Sequence, residues 1–182
     1  LSISRASRTF PQYLIFKPSM VLTAALLIYY WKKNNLLINK LNNTEKLNYK
    51  FFTFGVLSAI FLIIHSLLLG IETDIKIFKL LRRLVLLGFI IFEIIAQGIL
   101  VYNLYKLKDE IQDLSNRFIL KIKIFLVTIL STVAILSLPI LTTSGNVHFK
   151  HGLEWNYFIG VILFYLLTRL FWKNLKPLTS NS

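Results

Sequence analysis

The chain has 182 residues, 55% of them hydrophobic, and carries 21 Lys and Arg against 8 Asp and Glu, a net charge of +13. A mean hydropathy of +0.65 is too high for an ordinary soluble domain, and the long Leu- and Ile-rich runs read as membrane spans. The bases gather at the ends of those runs, where they act as topology signals, so no nucleic-acid partner is expected. There is no Cys, which removes disulfides, thiolate metal ligands and a cysteine nucleophile.

Residues 1–11 hold Arg5 and Arg8 without an apolar run that ends in a small-residue cleavage site, so no signal peptide is read there. The first expected span is 13–31. Lys17 and Pro18 interrupt its start, Pro18 suits the first turn of a helix, and Tyr29, Tyr30 and Trp31 form an interfacial belt closed by Lys32 and Lys33. The second span, 51–71, is apolar except for Thr53, Ser58, His65 and Ser66. The third, 84–105, is broken only by Glu93, Gln97 and Asn103. The fourth, 122–141, has Pro139 near its end, and the fifth, 155–172, has Arg169 in its last turn. Each approaches the length that a bilayer demands of a helix, and the runs are continuous rather than alternating, which excludes a barrel. The expected fold is an all-α polytopic transmembrane helix bundle of about five spans, a single integral membrane domain over 1–182 with a bilayer as its solvent.

The connections are short. Residues 32–50 carry five lysines. Residues 72–83 hold Lys76, Lys79, Arg82 and Arg83, and the three-residue spacing of Ile75, Phe78 and Leu81 suits an amphipathic turn in the headgroups. Residues 106–121, charged in both signs, are expected to extend the third helix outward. With five spans, one side of the membrane collects about 13 bases and the other about eight. The positive-inside rule then puts the N-terminus outside and the C-terminus in the cytoplasm, by default across a bacterial inner membrane. Arg82 and Arg83 fall on the side that this rule disfavours.

Ionisable groups inside spans are costly and point to function or to a partner. Glu93 lies deep in the third span, with Gln97 one turn further on the same face. The competing structural role is a protonated Glu93 that hydrogen-bonds a neighbouring helix. His65 closes the second span. The string His148, Lys150, His151, Glu154 opens the fifth, and in a helix His148, His151 and Glu154 share a face. His65, Glu93, Gln97, His148, His151 and Glu154 are therefore the candidates for an outward-facing polar pocket. Lys17, Arg82, Arg83 and Lys150 would rim it as contacts for an anionic lipid. Imidazole and carboxylate side chains also suit a metal, or His65 a haem, but no metal-ligand motif is present to assign either cofactor.

The stretches FEIIAQGILVYNL, 92–104, and LEWNYFIGVILFYLLT, 153–168, resemble spans of the GPI-lipid-remodelling and autophagy-modulator membrane family. That resemblance implies an intramembrane Glu at Glu93 and a Glu–aromatic pair, Glu154 and Trp155, opening the last span. The family has six spans and this chain shows five.

These features lead to the expectation of a small membrane protein that handles or senses lipid. The alternatives are an assembly subunit, working with a membrane-protein partner or a second copy of itself, and an intramembrane metal-dependent enzyme or haem protein. A carrier would need a midplane cavity lined by Glu93, Gln97 and Asn103.

Overall fold

The computed structural model describes residues 11–42, 46–68, 76–142 and 147–173. Almost all of them are helical: α1 Gln12–Leu41, α2 Lys50–Leu68, α3 Lys76–Lys106, α4 Arg117–Thr142 and α5 Val147–Phe171. Among the described residues the only β-type pairing is an isolated bridge between Ser115 and Trp172. Leu14–Leu41, Lys50–Leu68, Leu80–Lys106 and Arg117–Leu136 are long and apolar enough to cross a membrane, and α5 holds a shorter apolar stretch, Trp155–Phe171. Ile15, Ile77, Phe118, Ile135 and Leu136 each leave at least 67% of their surface uncovered. Outward-facing aliphatic and aromatic side chains in that number suit a hydrocarbon solvent and not water.

The chain divides into two compact units, Leu1–Asn39 with Tyr49–Gln97, and Lys40–Asn48 with Gly98–Ser182. In the first unit, α1 and α2 are joined by the short connection 42–49 and run antiparallel. Trp31 is fully buried and its indole lies where a side chain on Gly55 would stand, beside Phe51 at a ring-centroid distance of 6.3 Å. Trp31 is therefore core and not interfacial belt, whereas Tyr29 is exposed. Between α2 and α3, Phe61 occupies the space beside Gly88, and Phe54 and Phe61 both meet the Phe92 ring. Small residues let these backbones approach and aromatic rings fill the gap.

Three boundaries differ from the sequence expectation. α1 starts before Pro18 and runs ten residues past Trp31, so Pro18 is internal and 32–41 is helix. Leu, Ile and Lys are good or tolerated helix formers, and Ile38 and Asn34 find buried positions while Lys32, Lys33 and Lys40 stay exposed. α3 begins at Lys76, which makes the expected amphipathic turn its first turns. α3 also stops at Lys106 instead of extending outward. Residues 107–114 form turns, burying Leu107 and Ile111 completely. Asn116 then caps α4 by accepting the Phe118 N–H on its side-chain oxygen at 3.1 Å.

The second unit is closed at this end by main-chain bonds. Asn116 N donates to Phe171 O and Lys173 N donates to Leu114 O, both at 2.8 Å. α4 and α5 pack together, with Leu130 seated on Gly160, and leave an apolar groove of about 580 Å³ whose walls include Leu126, Val133, Leu153 and Leu163.

Candidate functional site

The antiparallel run of α2 against α3 brings Ser58 to Glu93. All three members of the resulting cluster are shut off from the surface: Ser58 and Glu93 have no exposure and Gln97 has 1%. Ser58 Oγ lies 2.7 Å from Glu93 Oε2 and 2.8 Å from the carbonyl oxygen of Gly55. Gln97 Nε2 donates to Glu93 Oε1 at 2.9 Å, one helical turn along α3. Glu93 stands 17 residues from the start of α3 and 13 from its end, so it is about 20 Å or more from either terminus. A carboxyl at that depth needs hydrogen-bond partners to offset desolvation, and Ser58 and Gln97 supply them.

A second polar group sits two turns along α2. His65 and Ser66 are buried to 8% and 1% exposure, yet His65 Nδ1 and Ser66 Oγ have no hydrogen-bond partner. The main chain of Arg82, in the early turns of α3, faces the His65 imidazole, and the Arg82 side chain is half-buried beside it. Lys17 belongs to the same end of this unit by register. It lies 14 residues before Trp31 on α1, and His65 lies ten residues after Gly55 on the antiparallel α2, so each is about 15–20 Å from the Trp31–Gly55 contact.

The structure thus joins Glu93 to Gln97, as their spacing predicts, and adds Ser58, which was not among the candidate pocket residues. It places His65 with Ser66 and Arg82. For Arg83, His148, Lys150, His151 and Glu154 the backbone is helical, but their side chains lie outside the described residues, so their part in a shared pocket is not described. Asn103 does not join Gln97. It belongs to the second unit, where its Nδ2 donates to Asn48 O at 2.8 Å and its Oδ1 accepts from Asn48 N at 3.2 Å. Among the described residues no three His, Asp or Glu side chains gather as metal ligands would.

Lys123, just inside the expected fourth span, contributes to the positive-inside count as a base at the membrane edge. The structure instead buries it fully between α4 and α5, bonded to Thr168 and facing the Phe164 ring. A signal was present: Lys121 and Lys123 are two residues apart, about 200° around a helix, so they cannot share one outward face. Lys121 is the exposed member of the pair.

The chain was also set against known proteins. No family model, no curated protein and no solved structure matches it. The resemblance of 92–104 and 153–168 to the lipid-remodelling family rests on those two stretches alone.

Proposed function

We propose that this protein is a lipid-handling or lipid-sensing integral membrane protein that takes an anionic lipid headgroup at the α2–α3 end of its first unit. The observation that carries this reading is the buried, unpartnered His65 Nδ1 on an imidazole beside Arg82, followed in sequence by the buried, unpartnered Ser66 Oγ. A buried polar atom left without a partner costs about 1–3 kcal/mol. A phosphate or carboxylate offers acceptor oxygens to a hydroxyl and to a guanidinium together, and to His65 Nδ1 once the imidazole takes up a proton there. Lys17 at the same end adds long-range attraction, and Arg83 is a further candidate for the rim. In the proposed orientation this end faces outward from a bacterial inner membrane, with the N-terminus outside and the C-terminus cytoplasmic. Arg82 and Arg83 then hold the lipid, which gives a reason for bases on the side where the charge rule disfavours them.

The test is thermal unfolding of the purified protein in detergent micelles doped with phosphatidylglycerol or with phosphatidylcholine. The anionic lipid is expected to raise the midpoint, and the Arg82→Gln and His65→Ala–Ser66→Ala variants to lose that increment. Equal midpoints with the two lipids would reject the reading.

A further inference from the structure

A second site, separate from the headgroup end, follows from counting hydrogens around Ser58. Its hydroxyl oxygen makes two short contacts, 2.8 Å to the Gly55 carbonyl oxygen and 2.7 Å to Glu93 Oε2. Each is a hydrogen-bond distance and each needs one hydrogen between the oxygens. Serine brings one hydrogen, and a carbonyl oxygen brings none. If Glu93 were a carboxylate, one of the two contacts would be a bare oxygen–oxygen approach, which is repulsive. We propose that Glu93 and Ser58 form a proton-binding site inside the membrane span, with one proton resident on Glu93 Oε2 and donated to Ser58 Oγ. The Ser58 hydrogen then goes to the Gly55 carbonyl, and Gln97 Nε2 donates to Oε1, the carbonyl oxygen of the acid. Each of these three contacts then has one donor and one acceptor, and the carboxyl itself carries no charge into the hydrocarbon.

On α2 the nearest titratable side chain is His65, seven residues from Ser58, and on α3 the nearest described charged ones are Arg82 and Lys106, more than ten residues from Glu93 on either side. α1 contributes Lys17, Lys32 and Lys33, none of them buried. Release of the proton would turn the Ser58 hydrogen from Gly55 O to the new carboxylate and leave that carbonyl oxygen with only its helical bond. Proton binding is thereby coupled to the α2 backbone at Gly55, the residue on which Trp31 packs.

Infrared spectroscopy of the full chain in lipid nanodiscs at neutral pH tests this. The wild-type minus Glu93→Gln difference spectrum is expected to show one protonated-carboxyl carbonyl stretch that shifts in D2O. Ser58→Ala keeps the carboxyl but removes its acceptor, so the same band is expected to move to higher frequency. This second variant, which places a good helix former in α2, keeps the test available if Glu93→Gln does not fold. A carboxylate stretch in place of the acid band, or an acid band that Ser58→Ala leaves unmoved, would overturn the proposal.

Discussion

Lys123 Nζ donates to Thr168 Oγ1 at 2.6 Å, and the pair ties α4 to α5 through a fully buried ammonium. Thr168 Oγ1 passes its own hydrogen to Phe164 O at 3.0 Å. The ammonium lies 4.1 Å from the Phe164 ring centroid and 5.9 Å from that of Phe171. A hydroxyl oxygen and two aromatic faces thus hold a charge away from water. Thr168→Val keeps the shape and removes the acceptor, so it is expected to destabilise the protein by about 1–3 kcal/mol. Lys123→Met removes the charge while Thr168 keeps its bond to Phe164, so its loss is expected to be smaller, in line with buried charges replaced by apolar residues of similar size. Unfolding in detergent micelles, by heat or by added sodium dodecyl sulfate, ranks the two. The opposite ranking would show that the hydroxyl does not hold the ammonium.

Glycines in this chain divide by what stands next to them. A methyl group at Gly55 would fall within the Trp31 indole, and one at Gly88 would stand 2.6 Å from the Phe61 ring. Gly55→Ala and Gly88→Ala are each expected to cost about 1–3 kcal/mol through overpacking. Trp31→Leu in the Gly55→Ala background should recover part of that loss. Gly152, helical with nothing within 4 Å of an added methyl, is the control: Gly152→Ala is expected to gain up to about 1 kcal/mol of helix propensity. The same unfolding assay decides. A Gly55→Ala protein as stable as the wild type would mean that Trp31 does not sit where it is described.

Asn103 holds the main chain ahead of α2 rather than lining a cavity. Its side-chain amide is bonded at both ends to Asn48, one bond to the amide hydrogen and one to the carbonyl oxygen. Asn103→Leu is expected to leave both Asn48 groups without these bonds and to cost about 1–3 kcal/mol. Asn103→Asp keeps the acceptor but sets a carboxylate oxygen against the Asn48 carbonyl at a fully buried position, so it is expected to cost at least as much as Asn103→Leu. Hydrogen exchange at the Asn48 amide gives a local reading. Unchanged protection in Asn103→Leu would contradict this role.

The groups at the first-unit site differ in how readable they were. Glu93 and Gln97 were visible because polar residues four apart in an apolar run must share a helix face. His65 stood out for the same reason, as an ionisable group in a span. Ser58 did not, because a serine in a membrane helix bonds its own backbone as readily as a neighbour's carboxyl. Which of the two it serves depends on the register of α2 against α3, set by Phe61 on Gly88 and by the Phe54–Phe92 stack. No periodicity along one helix contains that register.

Element ends were misjudged where amphipathic helix continued past the apolar run. Residues 32–41 and 76–83 are charged enough to look like connections, but a helix stops where its backbone finds a cap or a turn and not where hydrophobicity falls. At 107–114 the opposite happened. The expected outward helix gives way to turns in which Leu107 and Ile111 bury, and the main chain at 114 and 116 finds partners at 173 and 171.

The helical class, and the five helices seen among the described residues, were already legible in residue order, since an apolar run near bilayer length can satisfy its backbone only within itself. The tertiary structure alone decided which polar side chains meet. Trp31 became core, Lys123 became an interior cation and Ser58 became the partner of Glu93 because side-chain encounters across helices depend on register and on where a glycine lets a ring enter. Those are relations between segments far apart in the chain, and hydropathy along any one segment does not encode them.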